Sequence, residues 1–490
     1  MNERALVNGT PALSEQEKNV IIAGVLLSML LAALDQTIVA PAMPTIGRAL
    51  GHAEYLPWVV TAYLLTATAM APLYGKLSDI YGRRRTIFAA IFIFLAGSLI
   101  SALAPGMPML ILGRAVQGLG GGGLFALSQT VIGDLVPPRE RARYAAWISG
   151  TWAVASIAGP LLGGTFAEHL HWSVIFWINL PLGLAALAII NNPLKKLPIL
   201  AREHSLDGAG ATLLIAATAL LLLALTWGGS RYPWLSPVIG GLIGCSAVLW
   251  LLFALRLRRA AEPLISIEVL ANPVVRYGTL AMFLLQTTSV GLAVYIPVYA
   301  QSFNGLSASG SGVVMIGLLL GTVFGATTSG RTIPRLIHYK RLAMAGCVLS
   351  GIGLIALALL AGRTSLVTLE LLTVVVGFGT GLTFPVATIS VQNAVDQAHL
   401  GVVTGLLTFL RSLGGALGVA LLGAIALGNG LPLGGEHVQV TGAGALPALP
   451  FTYIFIACVV TTALSLVLFH FMPEKPLRGR AEHEVAPMVE

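Results

Sequence analysis

Long apolar runs, cut at short intervals by clusters of basic residues, decide what this chain can become. Each run is close to the ~20 residues that a helix needs to cross ~30 Å of hydrocarbon. The 490 residues are 56% hydrophobic and 10% charged, whereas an ordinary soluble domain carries roughly 25% charged residues. Several soluble domains would need a polar exterior that this composition cannot supply. The runs also lack the sustained polar alternation of membrane strands. The sequence therefore predicts an all-α polytopic membrane protein.

Fourteen spans are expected, at about 19–43, 57–77, 86–106, 108–131, 144–166, 173–191, 209–227, 237–256, 278–299, 312–330, 342–361, 365–389, 403–426 and 451–471. The polar stretch near 192–208 and the segment 257–277 divide them into six, two and six. The expected units are a six-helix half (1–191), a linker with an extra two-helix hairpin (192–277), a second six-helix half (278–472) and a polar, flexible tail (473–490). The extra hairpin has a plain lipid-facing composition. The first span is expected to be retained, because its run is too long for a signal peptide and no convincing small-residue cleavage site follows it.

Loop charge sets the expected orientation. Lys76, Arg83, Arg84 and Arg85 lie on one side, with Arg139, Arg141, Arg143, Lys195, Lys196, Arg256, Arg258, Arg259, Arg335 and Lys475. Arg231 and Arg363 lie on the other. The positive-inside rule then places both termini in the cytoplasm. The formal charge of +8 does not point to nucleic acid, because the basic residues sit at membrane boundaries, facing anionic lipid. Cys245, Cys347 and Cys458 stand alone in apolar runs, so neither a disulfide framework nor a metal site is expected. No paired catalytic acids or phosphate loop appear, and "GLGGGG" at 118–123 lacks the lysine and hydroxyl of a nucleotide loop. An enzyme and a resident cofactor are not expected.

Three ionised side chains fall inside the runs: Asp35, Arg114 and Arg411. Facing lipid, each would cost at least ~2.5 kcal/mol, so each is expected to face protein or a wet cavity. A carboxylate in a poorly hydrated place has its proton affinity raised. Asp35 is thus the candidate for loading and releasing a proton, and Arg114 for tuning it. The structural alternatives are a hydrogen-bonded core acid and arginines that bond backbone or, for Arg411, anchor helix packing. Trp58, Tyr63, Trp152, Phe283, Gln286, Tyr295 and Asn393 are candidate cavity-wall residues, with Thr37, Gln117 and Arg411 grouped beside them. For the aromatics, core packing, lipid contact or an interfacial belt is the competing reading.

Several strings now converge. "LDQTIVAPAMPTI" (34–46), "WVVTAYLLT" (58–66), "GKLSDIYGRRR" (75–85), "RAVQGLGGG" (114–122), "DLVPPRERAR" (134–143) and "SIAGPLLGG" (156–164) together resemble the major facilitator superfamily. Within it they resemble the fourteen-span drug:proton antiporter branch of the EmrB/QacA type. Departures occur at Ala40 and Pro41, at Ala155, at Ser173 and at Gly317. The resemblance covers roughly 20–426. It implies a cytoplasmic latch formed by Gly75, Asp79, Gly82, Arg83, Arg84, Asp134 and Arg141. It also implies an antiporter motif at Gly159, Pro160, Gly163 and Gly164, and a proton-transfer role for Arg114.

The expected function is proton-coupled export of small amphipathic, cationic compounds by alternating access, that is, multidrug efflux. The alternatives are a facilitator-type exporter of a specific metabolite or lipid and a non-transporting sensor. Protons, amphipathic substrates and membrane lipids are the expected partners. The chain is expected to work as a monomer in a bacterial inner membrane, with a periplasmic adaptor left open. Tags at positions 3, 200 and 485 should all report from the cytoplasm and a tag near 435 from outside. A reproducible outside signal at 200 overturns the orientation.

Overall fold

A run of this kind has one stable form in lipid, the helix, because every backbone polar group must be satisfied within the segment. The computed structural model describes residues 14–51, 55–196, 207–229, 231–260, 262–304, 306, 308–429 and 448–477. The first half comprises α1 (Glu15–Leu50), α2 (Leu56–Tyr81), α3 (Arg83–Ala102), α4 (Met107–Leu135), α5 (Pro138–His169), the short α6 (Val174–Trp177) and α7 (Asn179–Asn191). A hairpin of α8 (Gly208–Trp227) and α9 (Pro237–Arg259) follows, then the short α10 (Ile267–Ala271). The second half comprises α11 (Pro273–Asn304), α12 (Ala308–Thr332), α13 (Lys340–Leu359), α14 (Leu366–Asn393), α15 (Leu400–Gly428) and α16 (Leu449–Phe471). Polar side chains close the helix starts. Ser14 and Glu17 form a reciprocal capping box on α1, and Asp207 accepts from the Gly210 amide at 2.9 Å on α8.

Twelve helical segments among the described residues are long and apolar enough to cross a membrane. The expected fourteen spans in a 6 + 2 + 6 pattern are corrected accordingly. The two candidates that fall away, 57–77 and 144–166, are helical within α2 and α5. Thr, Ser, Gly, Pro, Trp and Tyr are interspersed among their apolar residues, which dilutes the hydropathy that marks a span. α2 packs on α4, α15 and α8, and α5 on α1 and α12.

The two halves repeat one packing plan. α1 lies on α5, α2 on α4 and α3 on α4; correspondingly α11 lies on α15, α12 on α14 and α13 on α14. Across the halves α2 meets α15 and α5 meets α12, two seams related by the same exchange. The two halves are thus structural repeats of one another. Only one seam carries the hairpin: α8 packs on α2 and α15. α9 turns Val248, Leu251 and Leu252 outward, as a lipid-facing helix does. The start of the expected flexible tail is pinned instead, with the Tyr339 hydroxyl donating to the Lys475 carbonyl at 2.8 Å and the Lys340 amide to Glu474 at 2.8 Å. The loop 427–450 and the rest of the tail lie mostly outside the described residues. Cys347 and Cys458 are buried and Cys245 is exposed, all three as free thiols.

The glycine run of α4 has a packing cause. A Cβ on Gly118 or Gly122 would strike the Tyr63 or Ala67 carbonyl of α2, and one on Gly120 the α3 backbone at Ala90 and Phe94. Small residues let helix backbones touch, and here one helix touches two neighbours at once. Gly122→Val should therefore lower stability by about 1–3 kcal/mol, read as thermal loss of the monodisperse peak in detergent. Gly150→Ala, with nothing within 4 Å of the new methyl, should leave that peak unchanged.

Candidate functional site

Arg114 and Gln117 are three residues apart on α4, so they share a face. That face meets α1, α2, α3 and α7. Arg114 donates from Nη1 to Asp35 Oδ2 at 2.6 Å and from Nε to the Val59 carbonyl at 3.0 Å. Gln117 Nε2 donates to Asp35 Oδ1 at 2.6 Å, and Asn179 Nδ2 donates to the same oxygen at 3.0 Å. Gln117 Oε1 in turn accepts from Arg114 at 2.7 Å. Ser98 Oγ accepts from Gln117 at 2.8 Å and donates to the Phe94 carbonyl at 3.0 Å. Asp35, Gln117, Asn179 and Ser98 have no exposure and Arg114 has 1%. The guanidinium also lies over the Tyr63 ring at 4.4 Å.

This arrangement is charge-balanced and dry. Charge-assisted donors on both carboxylate oxygens compensate for burial. A proton placed on Asp35 would cancel its attraction for Arg114 and disturb Gln117 and Asn179 together. Asn179 and Ser98 were missed in the sequence, since neither is ionised. The string around Asn179, "HWSVIFWINLPLG", was the available signal.

A cavity of about 780 Å³ lies beside this cluster, between the halves. It runs from Ala71 and Thr408 at one end to Gly229 and Leu427 at the other. Gln36, next to Asp35 in the chain, lines it; Asp35 does not. Tyr63 stands between the two: its ring lies against Arg114, and its hydroxyl is close to Gly121, a wall residue. Of the wall candidates read from sequence, Trp152, Gln286, Tyr295 and Arg411 line the cavity. Trp152 stacks on Phe125, another wall residue, at 5.1 Å.

The other candidates are elsewhere. The Thr37 hydroxyl donates to the Ala155 carbonyl at 2.7 Å in the α1–α5 seam. Trp58 packs edge-on against Trp227 of the hairpin at 5.8 Å. The Phe283 backbone abuts Gly414, and Asn393 donates to the Pro476 carbonyl at 3.0 Å. Gln117 belongs to the Asp35 cluster. The hairpin, in contrast, contributes Leu222, Leu225 and Thr226 to the cavity wall, so its lipid-facing reading is corrected for α8.

The α2–α3 turn lies beyond the Ala71 and Thr408 end of the cavity, where it meets the other half. Gly82 takes φ 85°, a left-handed conformation natural to glycine. The turn thereby brings Arg83 back onto Asp79, and Arg83 Nε reaches Asp134 at 2.7 Å. Asp79 also accepts from the Val402 amide at 2.9 Å and the Gly401 amide at 3.2 Å, at the start of α15 in the other half. Burial pushes the Asp79 carboxyl above its ordinary value, against the opposing pull of the Arg83 guanidinium. A Cβ on Gly75 would strike the Gly401 carbonyl, so the helices touch there. Arg84 donates to Asn191 Oδ1 at 2.7 Å. Arg141 donates to the Val136 carbonyl at 2.8 Å and to the Gly133 carbonyl, bracing the end of α4.

In the antiporter string, Gly159 and Gly163 of α5 lie against Thr37 and Ile38 of α1, while Gly164 meets open space. Pro160 lies within α5. No cluster of three or more metal-ligating side chains is found among the described residues.

Two helical halves around a central cavity, in contact beyond one end of it and carrying a buried ion pair, have the build of a membrane carrier. Residues 25–419 match the model of the Major Facilitator Superfamily, and the chain belongs to that family. It is 30% identical over 495 residues to Multidrug resistance protein 3 of Bacillus subtilis (strain 168), covering 94% of this chain and 96% of that protein. It is 32% identical over 415 residues to the Multidrug transporter protein MdtP of the same organism, covering 84% of this chain and 76% of that protein. Its fold is similar to that of the human organic anion transporter MFSD10, with a TM-score of 0.65 at 20% identity, over 92% of this chain and 99% of that one. The chain is thus a multi-pass transporter related to efflux-type members of the family, and not an enzyme.

The buried pair makes a stability claim. Arg114→Gln leaves the Asp35 carboxylate without its counter-charge and should destabilise by about 3–5 kcal/mol. Asp35→Asn with Arg114→Gln together should recover much of that loss. Thermal unfolding of the two single variants and the double variant in detergent gives the comparison. Additive losses would show that the two charges do not depend on each other.

Proposed function

We propose that this chain is a proton-coupled exporter of small amphipathic molecules, of the drug:proton antiporter kind, working by alternating access in a bacterial inner membrane with both termini cytoplasmic. One observation carries the reading: a fully buried acid–arginine pair lies beside a ligand-sized cavity, with Tyr63 against the arginine and Gln36, next to the acid, on the wall. Cavities that hold small molecules measure about 300–1,000 Å³. The latch end is shut and the cavity extends to the other, which corresponds to the outward-facing stage if the basic loops are cytoplasmic.

In the proposed cycle, a proton from outside reaches Asp35 as Arg114 shifts toward other acceptors. The substrate leaves outward. The neutralised cluster relaxes the packing of α1, α4 and α7, the Asp79 contact opens, and the proton is released inward. Proton and substrate are then linked through one equilibrium, each changing the affinity of the other. The cavity and the pair lie within one chain, which supports a monomeric unit. The expectation of a cationic cargo loses its main support, since Asp35 is enclosed and paired and lies outside the wall.

Purified protein in liposomes with an imposed pH gradient tests this reading. The probe panel should include amphipathic cations, neutral compounds and anions. Asp35→Asn should abolish uphill flux while retaining energy-independent equilibration. Equal substrate-dependent proton movement by wild type and Asp35→Asn would overturn the assignment of the coupling proton. Uphill flux of a single metabolite or lipid, with no other probe moved, would favour a dedicated exporter.

A further inference from the structure

The arginines of the bundle differ in one respect. Arg83 meets Asp79 and Asp134, Arg114 meets Asp35, and Arg256 meets Asp207 at 3.1 Å. Arg411 of α15 meets no carboxylate and makes no hydrogen bond among the described residues. It is half-buried and lines the central cavity. No Asp or Glu is among the described residues that line this cavity. Arg411 is therefore the one ionised side chain among those wall residues, and the wall is net positive.

A guanidinium retained within a membrane span needs water or a counter-charge. Every other feature of this wall suits an amphipathic body. Phe125 and Trp152 form a stacked aromatic face, and α8 adds Leu222 and Leu225. One turn beyond Arg411, at Gly415, the Gln286 side chain lies alongside α15; its Oε1 is buried without a partner. A guanidinium presents several donors in a fixed fork and pairs with two oxygens of one anion. We propose that Arg411 anchors the anionic group of the substrate, so that the cargo class is amphipathic organic anions such as aromatic carboxylates or sulfonates. This rests on the efflux reading above, which it narrows from amphipathic molecules in general.

Three probes with one apolar body isolate the charge: naphthalene-2-carboxylate, naphthalene-2-carboxamide and 2-naphthylmethylammonium. Equilibrium dialysis on the purified full-length chain should show the carboxylate bound at least about tenfold more tightly than either of the others. R411Q should remove that preference and leave the carboxamide unchanged, and R411K should restore part of it. R411Q should unfold at the same temperature as wild type or higher, because it breaks no hydrogen bond or ion pair among the described residues; a purely structural arginine would lower that temperature. Tightest binding of the ammonium probe, an undiminished carboxylate preference in R411Q, or no binding of the carboxylate overturns the assignment. Flux separates this from the broader reading. Uphill movement of cations with carboxylate excluded sinks the anion site alone. Arg411-dependent carboxylate binding without gradient-driven flux sinks proton coupling and leaves the anion site standing.

Discussion

A carboxylate and a guanidinium held 2.6 Å apart, both shut away from water, are the constraint around which the first half is organised. Neither charge is tolerable there alone. The pair survives because α1, α2, α3, α4 and α7 each bring an oxygen or an amide to it. That requirement fixes the rotation of five helices about their axes more tightly than apolar packing does, since greasy side chains slide past one another and directed donors do not. It also makes the site all-or-none: neutralise one member and the remaining donors lose their common target.

Close backbone approach serves the same end. α4 holds the arginine, and its glycines let it lie against α2 on one side and α3 on the other. With larger residues the helices would separate by the width of a side chain, and Val59, Ser98 and Asp35 would no longer reach Arg114 and Gln117. The glycine run is thus part of the electrostatics, although it carries no charge.

Much of this was legible because rare residues in an apolar background are conspicuous. Asp35, Arg114 and Arg411 stood out as charges inside hydrophobic runs; their partners did not. Asn179 and Ser98 are ordinary polar residues, and the pairing of Asp35 with Arg114 required a distance that no linear pattern holds. The wall of the cavity was read less well. Trp58, Phe283 and Asn393 point to other duties because helices apolar all round have no periodicity that marks one face as inner. The same blindness hid Leu222 and Leu225, since an aliphatic cavity wall and a lipid-facing surface share a composition. The span count erred in the opposite sense: in α2 and α5 the apolar residues are interspersed with Thr, Ser, Gly and Pro, which dilutes the hydropathy that marks a span.

The grip of Asp79 on the far half uses no side chain of that half. Its oxygens hold the peptide N–H groups at the first turn of α15, groups that any helix start leaves without internal partners. The recognition is therefore written in conformation alone. Substitutions at 401 and 402 can alter the clearance there, yet only proline, which has no peptide N–H, deletes a donor. A change in the pitch of α15 against α2 would withdraw both amides together. The two halves are joined by a fastening that depends on where a helix start is placed and asks of its side chains only that they leave room, as Gly401 does.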